Sequence, residues 1–455
     1  MNFLKSIIRL VQHWSFKPIS ISLSPNTEKD DIWLAFKLLF QPWRWRSDRY
    51  EAGPRSPVIH RVEIEEEFEK YLGVKYAVSF NSGRSALMAI LDSLNFDKGS
   101  EILLQAFTCN AAVNPIIWSG FKPVYVDCNE KTFNIDIEDL KRKITLRLGS
   151  GQAPKAVIVQ HTFGLPADID EILKICQENS LILIEDCAHS LGAEYGSINS
   201  SQAKNKKVGT FGKAAFFSFS RDKIISSVYG GMAVTDEDKL ARKLKEYQEK
   251  IGYPSCFWIF QQLLHPVLMN WLILPTYSIL GKYILVLFQK FHILSKAVHW
   301  KEKRGGKPGY FPKRMPEALA ILALNQFKKL ERFNRHRKEI ALFYYDEIIK
   351  KCPKFIEGLP LNPEDRKNIF LRFAIKHPRA HEIIKKAWKQ NFLIGDWYTT
   401  PIAPYDTQLD KLQYKLGSCP KAEKLSKETL NLPTHINILK KEAKLVTEFL
   451  KNNGD

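Results

Sequence analysis

From about residue 60 the chain alternates between two hydrophobic periods, and that alternation restricts it to one class of fold. "RVEIEEEFEKYLG" has a helical pattern, "KYAVSF" reads as a strand and "SALMAILDSL" is helical again. Strand "EILLQAF", helix "AAVNPIIWSG", strand "KPVYVD", helix "DIEDLKRKI", strand "KAVIVQ" and helix "DIDEILKICQEN" follow. Strands "LILIED", "AAFFSF" and "GGMAVT" complete the series. Strands separated by helices of this size predict an α/β fold with a mainly parallel sheet covered on both faces. In such sheets ligands gather outside the carboxyl ends of the strands.

The pattern breaks at both ends and once in the middle, which divides the 455 residues into four stretches. Residues 1–58 form an N-terminal amphipathic and basic segment. Phe3, Leu4, Ile7, Ile8, Val11 and Trp14 share one helical face opposite Lys5, Arg9 and Gln12, and the basic, Trp-rich "PWRWRSDRY" follows at 42–50. Residues 59–250 form the large ligand-binding domain. Residues 251–307 are a hydrophobic insertion with no Asp, Glu, Lys or Arg from Ile251 to Gly281. Pro254, Pro266 and Pro275 chop it, so the expectation is a helical hairpin dipping into one leaflet, with an apolar subunit interface as the alternative. "KEKRGGKPGYFPKR" (301–314) would meet anionic headgroups. Residues 308–455 are expected to be one long helix, "PEALAILALNQFKKLERFNRHRKEIALFYYDEIIKK", and a small α/β domain whose last segment, "PKAEKLSKETLNLP", is a helix with a proline stop.

Charge and cysteines narrow the setting. The chain carries 68 Lys+Arg against 49 Asp+Glu, a net +19, which points to an anionic partner such as a membrane surface or a phosphorylated substrate. It contains no recognisable nucleic-acid reading module, so nucleic acid is not the expected partner. Seven scattered cysteines without a CxxC pair argue against a disulfide framework or a zinc site and for a reducing compartment. No secretory signal stands out, and the expected location is cytoplasmic, peripheral on the inner face of the membrane.

Three short stretches carry chemistry. In "SFNSGRSALMAIL" a strand ends at Phe80, and a turn at Ser82-Gly83 opens a helix near Arg84–Ser85, whose first N–H groups suit a phosphate. In "LILIEDCAHSLGAEYG" a strand delivers Glu185 and Asp186 to the ligand edge, with His189 close behind. In "FFSFSRDKIISSVYGG" a strand is interrupted by Arg-Asp-Lys, and Lys223 stands between serines and a glycine pair. A lysine kept partly neutral can bond a carbonyl as a Schiff base. Pyridoxal 5'-phosphate needs that lysine, a carboxylate for its pyridinium nitrogen and a phosphate cradle. Lys223, Asp186 and Gly83/Arg84 supply them, and Ser218 offers a further phosphate contact.

With these stretches in view, the sequence resembles the DegT/DnrJ/StrS group of pyridoxal-phosphate sugar aminotransferases, over about 60–250 and 308–440. "GFKPVYVDCNEKTFNID", "HTFGLPADIDEI", "RMPEALAILALNQFKKL" and "CPKAEKLSKETLNLPTH" add to the match. The resemblance implies an aspartate-aminotransferase-like fold of type I, with a large mainly parallel-sheet domain and a small C-terminal α/β domain, working as a homodimer. It implies Lys223 as the lysine bonded to the cofactor and Asp186 as the pyridinium partner. His189 falls where the family has a Gln or His, and Ser82, Gly83, Arg84 and Ser218 fall at the phosphate. The aromatic that stacks on the ring is displaced, leaving Phe107 or Cys109 for that place. The implied reaction moves an amino group from an amino-acid donor, glutamate, to a keto sugar that is nucleotide- or lipid-linked, in surface polysaccharide or glycan precursor synthesis.

The sequence also departs from the family. Arg84 replaces a Thr, Ser227-Val228-Tyr229-Gly230-Gly231 replaces Thr-Gly-Glu-Gly-Gly, and Pro312 aligns with an asparagine assigned to the neighbouring subunit's phosphate. Two alternatives stay open: a catalytically inactive membrane-associated regulator or scaffold of the same fold, and a pyridoxal-phosphate-dependent sugar dehydratase. The family's dehydratases lack the lysine, so Lys223 speaks against the second.

Overall fold

A computed structural model of the chain describes residues 17–46, 60–149, 151–196 and 205–454. The amphipathic helix expected over 1–17 lies outside the described residues except for Lys17. The centre is a seven-stranded sheet. Its strands are β1 (Tyr76–Phe80), β2 (Glu101–Gln105), β3 (Lys122–Val126), β4 (Ala156–Gln160), β5 (Ile182–Asp186), β6 (Ala214–Ser218) and β7 (Gly231–Thr235). They lie side by side in the order β1-β7-β6-β5-β4-β2-β3. All neighbours from β6 to β3 are parallel, and β7 alone runs antiparallel, between β6 and β1. The α/β expectation holds, and the antiparallel β7 follows from the chain returning from β6 without a crossover helix.

Successive residues of single strands enter different cores, as a sheet covered on both faces requires. Phe217, Ala77 and Val234 pack with the helix Glu317–Phe327, whereas Phe216, Val78 and Ala233 pack beneath the helix Gly83–Ser93. The second unit pairs β8 (Arg372–Lys376) antiparallel with β9 (Thr429–Pro433), backed by Leu330–Lys351 and Lys440–Asn453.

Three local expectations change. The long helix after 314 is two helices, Glu317–Phe327 and Leu330–Lys351, broken at Lys328-Lys329. The first is buried nearly all round and the second presents polar side chains on one face, so each packs in its own direction. "PKAEKLSKETLNLP" ends its helix at Glu428, and its last residues are β9, fully buried and paired antiparallel with β8. In the insertion, Cys256–Ile273 and Tyr277–Lys290 are bent by 110°. Trp258, Ile259 and Leu263 of the first arm are core residues packed with Ala35 and Leu38 of the helix Lys29–Leu39. Much of that arm's apolar character therefore serves ordinary packing. No single helix among the described residues is long and apolar enough to cross a membrane.

Candidate active site

The parallel strands deliver their residues to one edge, and the candidate site is built there. Asp186 is the last residue of β5 and is 5% exposed. Its Oδ1 accepts the Ala188 N–H at 3.0 Å. Burial pushes its carboxyl up to about 6, against the Ala188 N–H and the positive charges of Lys223 and His161. Glu185, its neighbour, points the other way in the pleat. Its oxygens accept the N–H groups of Gly209, Phe211 and Gly212 at 2.7–2.8 Å and meet His161 Nε2 at 3.1 Å. That carboxylate is fully used in holding the 209–212 turn, so of the two only Asp186 faces the cavity.

Gly83 opens the helix Gly83–Ser93 beside the end of β6. A Cβ at Gly83 would stand 3.0 Å from Ser218 Cβ and 3.2 Å from the Phe217 carbonyl, and one at Gly231 would stand 2.4 Å from Gly83 N. Glycine is required at both places for the helix start to approach the strand ends. An α-helix leaves its first N–H groups without partners of its own, which makes this start an anion cradle. Ser82 is the N-cap, its Oγ accepting the Ser85 N–H at 3.1 Å.

Lys223 sits in the turn after β6, half-buried, with Asp186, His189, Gly83 and Ser218 around the same cavity. The backbone on either side of it is locked from elsewhere. Asn26 Nδ2 donates to the Lys223 carbonyl and, at 3.2 Å, to that of Ile224. The buried Arg337 guanidinium donates to the Ile224 carbonyl at 3.0 Å and to Asn26 Oδ1 at 2.7 Å. Asp222, also lining the cavity, accepts from Arg372 of β8 at 2.6 Å. Burial pushes the Asp222 carboxyl up, and Lys223 and Arg372 more than offset it, so it stays below the usual range. Burial, with Lys223 and Arg372, holds His189 well below the usual imidazole range, which keeps the ring neutral. His189 Nδ1 accepts the Phe163 N–H at 3.4 Å.

The outer wall comes from two places far along the chain, Ala297-Val298 of the insertion and Trp397-Tyr398 of the small domain. The enclosed space is about 70 Å³. In its chemistry the donor set fits pyridoxal phosphate: a lysine, a buried carboxylate, a glycine-lined helix start and the hydroxyls of Ser218 and Ser220 converge on one cavity.

A family model described as the DegT/DnrJ/EryC1/StrS aminotransferase family matches residues 46–258 and 282–451. An uncharacterized protein of Methanocaldococcus jannaschii is 30% identical over 86% of this chain and 87% of its own length. The chain belongs to the DegT/DnrJ/EryC1/StrS aminotransferase family. The GDP-perosamine synthase of Caulobacter vibrioides is 36% identical over 40% of this chain and 46% of that protein. A UDP-N-acetyl-3-dehydro-alpha-D-glucosamine 3-aminotransferase of Acidithiobacillus ferrooxidans is 26% identical over 81% and 82%. Among solved structures, Helicobacter pylori PseC superposes with a TM-score of 0.69 at 24% identity, covering 96% of this chain and 99% of that one. This is the type I fold expected from the sequence. Members of the family depend on pyridoxal phosphate.

Within that family the structure sorts the nine candidate residues. Lys223, Asp186, His189, Gly83, Arg84, Ser218 and Cys109 line the cavity together. Phe107 does not: its backbone has φ 62° and its ring is fully buried against Phe133, Phe163 and Tyr398. Ser82 is turned into its capping role and leaves the cavity to Gly83. Arg84 lines the cavity, but its guanidinium is committed elsewhere. Nε stands 2.5 Å from the buried Glu302, Nη2 donates to the Ala297 carbonyl at 3.2 Å, and the group lies over the Phe311 ring. Asp222, Arg372, Gln160, Thr108 and Tyr398 were not singled out from the sequence. The Arg-Asp-Lys interruption contained Asp222, and an arginine inside the otherwise apolar "FLRFAIK" was the only sign of Arg372.

Proposed function

We propose that this chain is a pyridoxal-phosphate-dependent aminotransferase that passes an amino group from glutamate to a keto sugar carried on a diphosphate, in polysaccharide precursor synthesis, and that it works as a homodimer. The observation that carries the reading is the convergence of Lys223, Asp186 and the Gly83 helix start on one cavity inside a family of aminotransferases. The relatives named for GDP- and UDP-linked sugars support the substrate class. When bound, pyridoxal phosphate supplies an electron sink for the carbanion formed at the donor's α-carbon.

The chain's own residues do the rest. The Gly83 and Arg84 amides with Ser218 hold the phosphate, and Asp186 holds a proton on the ring nitrogen. The neutral His189, lining the same cavity, would leave it without a competing charge. Lys223 Nζ would take the α-proton of the amino donor and hold it, as general base and then acid. Asn26 and Arg337 fix the turn that aims it. In this reading Arg84 holds the strap at 295–302, and its backbone rather than its guanidinium serves the phosphate.

Asp186 gives a pH signature. Its ligand-free carboxyl protonates near pH 6, and the neutral acid cannot pair with a cationic ring. Cofactor capture by the stripped enzyme is expected to weaken as pH falls through about 6, by up to about tenfold per pH unit below it. In Asp186→Asn capture is weak and flat with pH. Equilibrium titration of the visible band between pH 5 and 8 checks this, and a wild-type curve without a break would remove Asp186 from the role.

The same reading includes attachment to an anionic membrane surface. Trp33, Phe36 and Phe40 form a ring cluster with Trp271 of the bent pair, and Trp33, Phe40 and Trp271 are exposed. On Lys282–Lys290, Tyr283, Val286 and Leu287 share one exposed face, and no residue of that helix is buried. Residues 251–301 contain no acidic side chain, so an apolar face with basic neighbours faces outward. The full-length enzyme is expected to sediment with phosphatidylglycerol vesicles, less at high salt, and Trp271→Glu/Leu287→Glu is expected to stay in the supernatant. A protein that ignores vesicles, and whose variant changes only its oligomeric state, would show this face to be a subunit interface.

A further inference from the structure

A second cavity, of about 670 Å³, lies on the far side of the strap from the cofactor pocket. Its size falls within the roughly 300–1,000 Å³ of ligand sites. The helix Cys256–Leu268 starts at its wall, where Ser255 Oγ accepts the Trp258 N–H at 3.2 Å, so the positive end of a helix faces it. Lys290, Lys296 and Lys313 line it and no Asp or Glu does. Lys313 donates to the Ile251 carbonyl at 3.0 Å. Lys290 and Lys296 meet no carboxylate among the described residues.

Trp258, Trp300 and Tyr310 give the cavity aromatic walls. Trp258 is 5% exposed, and its indole Nε1 has no hydrogen-bond partner among the described residues. A buried donor left in that state is unfavourable, and an acceptor oxygen on a ligand would satisfy it.

Two further facts say what kind of anion fits. The exposed apolar face of Lys282–Lys290, formed by Tyr283, Val286 and Leu287, ends at Lys290, a lining residue, so apolar surface runs up to the cationic site. The strap itself is shared: Ser295 and Lys296 face this cavity, and Ala297 and Val298 face Lys223's pocket. We infer that the cavity seats the diphosphate and first carbons of an apolar-chain carrier, so that the sugar substrate is lipid-diphosphate-linked. The inference rests on the sugar aminotransferase reading above and names its carrier.

The test is tryptophan fluorescence titration of the full-length, cofactor-loaded enzyme with farnesyl diphosphate below its micellar range, farnesol, inorganic pyrophosphate and uridine diphosphate. Farnesyl diphosphate is expected to bind at least tenfold more tightly than the other three. Lys290→Ala/Lys296→Ala is expected to weaken it at least tenfold, and Trp258→Phe, which keeps the ring and removes the N–H, several-fold. Uridine diphosphate binding more tightly than farnesyl diphosphate would overturn the apolar carrier. Affinity unchanged in the double lysine variant, or no binding at all, would overturn the site. The response of the visible band to glutamate is read on the same samples and is expected to be unchanged in all variants. Its failure in wild type would reject the aminotransferase reading while leaving the binding result standing.

Discussion

Lys223→Ala is expected to leave the folded protein intact and to abolish its reaction with glutamate. The side chain is half-buried at the cavity, and its backbone bonds to Ser220 and Asn26, with Arg337's bond to the neighbouring Ile224 carbonyl, survive truncation. Folding therefore loses little. On the aminotransferase reading, chemistry loses the group proposed to bond the cofactor and to carry the proton. Proton transfer by a positioned side chain alone supplies about 10²–10⁴-fold. The expected drop in the rate of donor conversion, followed by stopped-flow absorbance, is about 10³-fold or more. Asn26→Ala is a milder control, since it frees the turn and leaves the amine in place.

Glu302→Ala is expected to be the most destabilising single change near the site. Glu302 is fully buried, and its partner Arg84 is 8% exposed. Burial disfavours the Arg84 charge, and Glu302 more than offsets this. Removing Glu302 leaves an uncompensated buried guanidinium, which costs about 3–5 kcal/mol, whereas replacing both partners by apolar side chains is often neutral. The strap should loosen with it, because Arg84 to the Ala297 carbonyl, Arg221 to Ser295 and Tyr229 to the Lys296 carbonyl are its ties to the sheet. Urea unfolding of Glu302→Ala should show that loss, and Arg84→Leu/Glu302→Leu should recover most of it. The double variant also separates two roles for Arg84. If its guanidinium binds the strap, the double variant keeps cofactor affinity within about tenfold; if it binds the phosphate, affinity falls further.

These ties give the family departures a physical reason. Arg84 and Tyr229, read from the sequence as departures from the family pattern, both hold the strap that ends the insertion. The sequence showed each departure and the insertion separately. It could not show that they meet, because the contacts join residues more than 60 positions apart. What was legible depended on local periodicity and on strand ends: the parallel sheet, Asp186 at the end of its strand, and Gly83 opening its helix. Between Phe107 and Cys109 the sequence left the choice open; Phe107 has a positive φ and a ring buried in the core, a conformation that no pattern of residue types announces. Asp222, Arg372 and Tyr398 were missed because two of the three come from the small domain, whose approach to the sheet is a matter of tertiary packing. The strand hidden in "TLNLP" was read as a helix end because a proline closes both.

The most direct measurement is the visible spectrum of the cofactor-loaded enzyme through one full cycle, first with glutamate and then with a diphosphate-linked keto sugar, for wild type and Lys223→Ala. The wild-type band should be lost on adding glutamate, with one 2-oxoglutarate released per site, and return when the keto sugar is added. The lysine variant should show neither change. A wild-type band that does not respond to glutamate, or no band after loading with pyridoxal phosphate, would contradict the account and favour a scaffold that keeps the fold without the reaction.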